Sequence, residues 1–307
     1  MSTKFKNHRV EVTENTNIIS ISEIVKDNDF RTADINYETV IKFLQRKKEL
    51  LNKDFNRDEQ KNQVNYTFQA FAEEGAYAVF KSVIKKYGNL DMNPTGPSGG
   101  RLPEMIDVKL PDGSSIKVPW GNVSLPSFED DSRLEMTYDS EYHKFKIIGT
   151  IKNKYSTELE ELIGLVREEL ELHSIYKGQA IALEYDEDDW VKEPTFIDLS
   201  NIDESKVVLS RSAIEDLTPI FVRIEKSQEC IKSGLDLKYG ALMEGVYGTG
   251  KTLAAFLVAK KAVQNKWTYI YLKDCKHTAS ALRICEQYIH GGTGVVLFTE
   301  DIDQALR

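Results

Sequence analysis

Tyr239-Gly240-Ala241-Leu242-Met243-Glu244-Gly245-Val246-Tyr247-Gly248-Thr249-Gly250-Lys251-Thr252 reads as a buried strand running into a glycine loop, with a helix starting directly behind Gly-Lys-Thr. From Gly245 to Thr252 the spacing is that of a phosphate-binding loop, G-x-x-x-x-G-K-[ST]. Glycines at 245, 248 and 250 let the backbone curl so that successive N–H groups point at phosphate oxygens. The helix behind the loop adds free N–H groups and its positive dipole end. Lys251 then supplies a mobile charge for the β- and γ-phosphates, and the Thr252 hydroxyl is placed to ligate magnesium. The expected phosphate contacts run from Gly245 through Val246, Tyr247, Gly248, Thr249, Gly250, Lys251 and Thr252 to Leu253.

A second stretch complements the first. Gly294-Val295-Val296-Leu297-Phe298-Thr299-Glu300-Asp301-Ile302-Asp303 is an apolar run ending in acids, as expected of a buried parallel strand. Carboxylates at the C-terminal end of such a strand lie at the sheet edge where α/β proteins bind ligands. The two motifs together predict a site for ATP and Mg2+, with Thr252 placed to ligate the metal and the acids after Thr299 to hold it and polarise the attacking water.

Bulk properties narrow the remaining classes. The 307 residues suffice for two domains, and 41% hydrophobic with 29% charged residues describes an ordinary globular chain. A net charge of −9 argues against a dedicated nucleic-acid binder, which carries a basic face. Cys230, Cys275 and Cys285 lack CxxC spacing and read as reduced thiols, not a disulfide frame. With no apolar run of membrane-spanning length and no signal-peptide core, the expectation is a cytoplasmic protein without a membrane partner.

In chain order, residues 1–60 read as a polar extension ending in a charged helix at 36–60, either packed on its own domain or a partner-binding or coiled-coil segment. Residues 61–185 read as an α+β unit. It comprises a helix from Tyr66 to Tyr87, a Pro/Gly/Ser loop from Asn93 to Gly100, and a hairpin turning at Pro111-Asp112-Gly113. Strands at Leu134–Tyr138 and Lys144–Ile151 follow, then a helix opened by a Thr157/Glu160 capping box, and a last strand at Gln179–Tyr185. Trp120 reads as a core anchor or the lining of a groove, and the five scattered histidines as structural or exposed. Residues 186–216 form an acidic connector. Residues 210–231 read as helical, with Pro219 marking a break or a second helix start. Residues 217–307 then alternate strand 240–244, helix 251–264, strand 268–272, helix 278–289 and strand 294–299, the pattern of a parallel sheet. The expected fold class is thus α/β: a C-terminal P-loop parallel-sheet nucleotide domain, incomplete, preceded by a smaller α+β N-terminal domain.

From about Leu217 onward the chain resembles AAA+ ATPases of the AAA branch. The resemblance is carried by Pro219-Ile220, Lys238 to Gly245, the loop Gly248-Thr249-Gly250-Lys251-Thr252, and Leu297 to Asp303. It implies a magnesium-dependent ATPase that assembles into a homo-oligomeric ring, a hexamer by resemblance, with the N-terminal unit engaging a protein client or adaptor. An arginine from the neighbouring subunit would stabilise the transferred γ-phosphoryl. The family ends its acidic strand Asp-Glu, whereas this chain has Glu300-Asp301. The carry-over gives Glu300 the metal shell and Asp301 the attacking water, beside Lys251, with the register open by one residue. Lys273-Asp274-Cys275-Lys276-His277 stands where the family has its aromatic pore loop. The resemblance also implies a further central strand, sensor residue, arginine finger and helical lid beyond Arg307. The expectation is therefore a piece of a longer protein, or a chain completed by another, and no hydrolysis by residues 1–307 alone. A nucleotide-gated scaffold without turnover and a DNA-associated, helicase-loader-like ATPase are the alternatives.

Overall fold

The computed structural model describes residues 37–88, 104–123, 125, 127–128, 132–202, 207, 209–245, 249–289, 293–300 and 302. It is a mixed α/β chain that divides into a unit of residues 1–58 and a unit of residues 59–307. Among the described residues the first unit consists of helix α1 (Tyr37–Glu59), whose Leu50, Leu51 and Phe55 are exposed. The expected Asn93–Gly100 loop lies outside the described residues. No described helix is long and apolar enough to cross a membrane.

The second unit opens with an antiparallel sheet of order β1 (Lys61–Phe68), β6 (Lys144–Lys152), β5 (Arg133–Asp139) and β4 (Asn122–Val123). Here the sequence expectation needs correction. Tyr66 to Phe68 belong to β1, because Val64, Tyr66 and Phe68 alternate onto one face and pair with Gly149, Ile147 and Phe145. The helix behind, α2 (Ala72–Tyr87), therefore starts later than its apolar spacing implied. Helix α3 (Ser156–His173) packs beside it. Thr157 lies inside α3 and caps nothing; a 3-10 turn at Asn153–Tyr155 leads in, and Glu160 instead accepts a hydrogen bond from the Tyr66 hydroxyl at 2.7 Å. Val79 and Val83 of α2 and Leu159, Leu162, Ile163 and Val166 of α3 cover Leu134, Met136, Phe145 and Ile147 of the sheet. Each such fully buried side chain stabilises by about 1.5–3 kcal/mol. The expected hairpin is present as β2 (Glu104–Lys109) and β3 (Ser115–Trp120), with Asp112 accepting from the Ser114 N–H at 2.9 Å. Trp120 packs into the core.

The other sheet carries the candidate site. Its order is β10 (Val295–Thr299), β9 (Thr268–Leu272), β7 (Ala180–Leu183) and β8 (Thr195–Phe196); the first three are parallel and β8 is antiparallel. The strand expected to close the 61–185 unit at Gln179–Tyr185 is thus β7, a neighbour of β9. Its partner comes more than 80 residues later, a relation that no local pattern encodes. Side chains alternate cleanly across this sheet. Ala180, Tyr269, Tyr271, Val296 and Phe298 face helices α4 (Arg211–Glu225) and α6 (Lys251–Gln264). Ile181, Leu183, Ile270, Leu272, Val295 and Leu297 face helix α7 (Thr278–Glu286), and share their core with Phe71, Ala76, Val108 and Val118.

Two further expectations fail. The break anticipated at Pro219 falls instead at Lys226, between α4 and the short α5 (Ser227–Lys232). Pro219 forfeits the helical hydrogen bond to the Glu215 carbonyl, yet the helix continues through it to Glu225. The strand anticipated at 240–244 is irregular backbone, with Leu242 78% exposed. Among the described residues nothing pairs with the outer edge of β10, so this apolar segment has no ladder to join.

Candidate nucleotide site

In-register pairing of Leu183, Leu272 and Thr299 sets the C-terminal ends of β7, β9 and β10 side by side. Glu300 follows immediately at that edge. Helix α6 begins at Lys251 against the same edge, capped by Gly250 at φ +85°, a left-handed conformation that side-chain-bearing residues adopt at a cost. A Cβ at Gly245 would lie 2.9 Å from Thr249 Oγ1, so a side chain there would require Thr249 to turn away. The Lys251 ammonium donates to the Gly245 carbonyl at 2.7 Å, closing the loop on itself.

The central contact joins the two motifs. Thr252 Oγ1 donates to Glu300 Oε1 at 2.6 Å, across 48 residues of sequence. The other carboxylate oxygen, Oε2, accepts from the Tyr271 hydroxyl at 3.2 Å. Glu300 is therefore held by the first turn of a helix on one side and by β9 on the other. Leu253, in the same first turn, is exposed. Val246, Tyr247, Gly248 and Asp301 lie outside the described residues.

The donor set suits a hard divalent cation. A hydroxyl and a carboxylate oxygen converge within hydrogen-bonding distance beside a helix N-terminus. Mg2+ is commonly held by one or two protein oxygens, completing its shell with water and substrate phosphates. Thr252 and Glu300 are the residues that would hold it. Among the described residues no group of three or more His, Cys, Asp or Glu side chains is placed to hold a metal ion.

A second polar cluster went unread in the sequence. Glu74 of α2 is buried, accepting from the Phe71 N–H at 3.2 Å, from the Ser174 hydroxyl and from the Tyr288 hydroxyl at 3.5 Å. Burial pushes its carboxyl up to about 7. Nearby Glu193 accepts from the Tyr176 hydroxyl at 2.9 Å and the Glu73 N–H at 3.1 Å; burial and then repulsion from Glu73 push it up to about 8. His143 lies between the Tyr138 hydroxyl, 2.9 Å from Nδ1, and Gln287 Oε1, 3.1 Å from Nε2, and burial pulls it down to about 4. Perturbed groups of this kind mark functional sites when they line a cleft. These are enclosed among core side chains and knit α2 to the residues after α3 and α7. The one sequence signal was Glu74 three residues after Phe71, the capping-box spacing, masked by an apolar residue at the cap.

All three cysteines are free and buried. Neither a scan against protein-family models nor a search of curated proteins returns a match to this chain.

Proposed function

We propose that the chain binds ATP with Mg2+ at the edge formed by the Gly245–Leu253 loop and Glu300, as the nucleotide-binding part of a ring-forming AAA+ ATPase that remodels a protein client. The observation that carries this reading is the 2.6 Å hydrogen bond from Thr252 to Glu300. The glycine-loop motif and the acidic-strand motif, 48 residues apart in sequence, meet in that contact, which supports the reading. Bound magnesium would neutralise charge developing on the phosphates. The chain's own groups do the rest. The first-turn amides of α6 and Lys251 hold the phosphates, Thr252 and Glu300 orient the metal side, and Asp301 is assigned the attacking water. This is catalysis by positioning and electrostatics. A neighbouring subunit's arginine and a client held by the N-terminal part belong to the same proposal, as does a cytoplasmic setting in keeping with three free thiols.

A nucleotide-gated scaffold without turnover is the second reading, favoured by the unpaired backbone at 240–244 that leads into the loop. Titration of the chain with a fluorescent ATP analogue tests the shared premise. Saturable binding strengthened by Mg2+ and weakened at least tenfold by Lys251→Ala is expected. Absence of binding, or binding indifferent to Lys251→Ala, refutes both readings. Phosphate release by the complete gene product that disappears in Asp301→Asn then selects the enzyme over the scaffold.

A further inference from the structure

Tyr271 is the third member of the contact that joins the two motifs, and no motif includes it. It lies on β9, directly opposite Phe298 of β10 in the ladder, and its ring stacks on that of Phe298 with centroids 5.7 Å apart and planes 27° from parallel. Glu300 is two residues beyond Phe298. Cross-strand stacking thus fixes the tyrosine ring, and the fixed ring carries its hydroxyl to Glu300 Oε2 at 3.2 Å. Oε1 is meanwhile taken by Thr252 at 2.6 Å. A carboxylate held at one oxygen can still swing about its terminal torsion, which is broad for such groups. Held at both oxygens by groups on two different elements, it cannot.

On the reading of the site given above, we propose that Tyr271 is a positioning residue. It holds Glu300 by Oε2 so that Oε1 stays aimed at Thr252 and at the cation these two would share. A Thr252 hydroxyl that gave an oxygen lone pair to the metal would still have its hydrogen to donate to Glu300 Oε1, and Tyr271 would keep the other carboxylate oxygen in place. Tyr271 touches neither nucleotide nor metal, so its effect is felt only through Glu300. It should appear in the metal-dependent part of nucleotide affinity and not in the metal-free part.

The chain itself allows an isosteric test. Tyr271→Phe keeps the stacking on Phe298 and removes only the hydroxyl. Affinity for a non-hydrolysable ATP analogue is measured by titration with and without Mg2+, for wild type, Tyr271→Phe, Glu300→Gln and the double variant. The expected result is unchanged metal-free affinity in Tyr271→Phe, with the enhancement by Mg2+ reduced about three- to tenfold. Glu300→Gln should lose most of that enhancement. In the double variant the tyrosine change should add nothing further, because it acts through the carboxylate already removed. Equal losses with and without Mg2+, or additive losses in the double variant, would mean that Tyr271 supports only the strand and would overturn the proposal. An unchanged Mg2+ enhancement in Tyr271→Phe overturns it as well, while leaving the nucleotide site intact. Wild-type chain that binds no analogue at all fails the site reading itself, and this inference with it.

Discussion

The buried carboxyls impose a stability profile that runs opposite to ordinary acid denaturation. Glu74 and Glu193 sit at about 7 and about 8 in the folded chain, against an ordinary value of 4.5. Between those limits the folded state keeps a proton that the unfolded state has shed, so each group's contribution is complete at low pH and is lost as pH rises through the folded value. His143 has the opposite sign. It is held at about 4 against 6.5, so the unfolded chain gains a proton first as pH falls, and stability from this group is lost between about pH 6.5 and 4. Below pH 6.5 the two trends oppose one another. Above it His143 is neutral in both states, and the carboxylates held low by partners, such as Glu59 between Lys152 and Lys154, are fully ionised in both. The range from pH 6.5 to 8.5 is therefore dominated by the acid pair, with the buried Cys285 thiol, pushed up from 9.0 to about 12, adding a small fall of the same sign at its upper end. At about 1.4 kcal/mol per unit of pKa, Glu74 contributes roughly half a unit of that range and Glu193 one and a half units, a fall of about 3 kcal/mol. Urea unfolding followed by the fluorescence of core Trp120 and Trp267 measures it. Glu193→Gln should remove about three-quarters of the fall, and Glu74→Gln should flatten the remainder near pH 7. A stability constant to within about 0.5 kcal/mol over this range, or a slope that survives both substitutions, would refute the picture of two protonated acids in the core.

Two further perturbations separate fold from site. Gly149 lies where β6 passes β5, and an added Cβ would meet the Arg133 carbonyl oxygen at 2.1 Å, so Gly149→Ala should destabilise by about 1–3 kcal/mol. Its urea midpoint should drop while nucleotide affinity measured below that midpoint is retained. Gly250→Val forces a β-branched residue into φ +85°, at a cost of about 1–3 kcal/mol confined to the loop. ATP-analogue binding should fall at least tenfold, with far-ultraviolet circular dichroism unchanged.

What the sequence disclosed, and what it withheld, follows from the range of the interactions involved. Helix α6 and strands β9 and β10 were legible because their signals are local: Gly-Lys-Thr at a helix start, and apolar runs of strand length. The hairpin of β2 and β3 was legible because Pro-Asp-Gly specifies a turn within four residues. Strand β1 was hidden because Phe68, Phe71 and Ala72 mimic helical spacing across the join of a strand and a helix. The alternation of Val64, Tyr66 and Phe68 gains meaning only when Phe145 and Ile147 arrive opposite. The membership of β7 was illegible for the same reason, since its partner is set by tertiary pairing. Glu193 bore no signal at all, because a lone glutamate in a polar segment acquires its character from the Tyr176 hydroxyl and the neighbouring Glu73 that surround it.

The segment 240–244 shows where local and long-range demands separate. Its composition meets the local condition for a strand, yet its amides need a neighbouring ladder, and among the described residues the outer edge of β10 presents no strand between. The helix N-terminus is nonetheless seated at the sheet edge, so its position must come from elsewhere. Ala254, Val258, Ala259 and Ala262 bring α6 close onto Tyr269 and Trp267, with Leu217 and Ile224 of α4 closing the same core. Small side chains at that spacing let helix and sheet approach closely, and burial rather than the preceding strand fixes where Lys251 and Thr252 emerge. Widening that contact with a larger residue, as in Ala259→Leu, should then lengthen the Thr252–Glu300 contact. Magnesium-enhanced nucleotide affinity should fall with it although no loop residue has changed. Retained enhancement in a folded Ala259→Leu chain would show instead that the loop and its acid find each other without the helix packing.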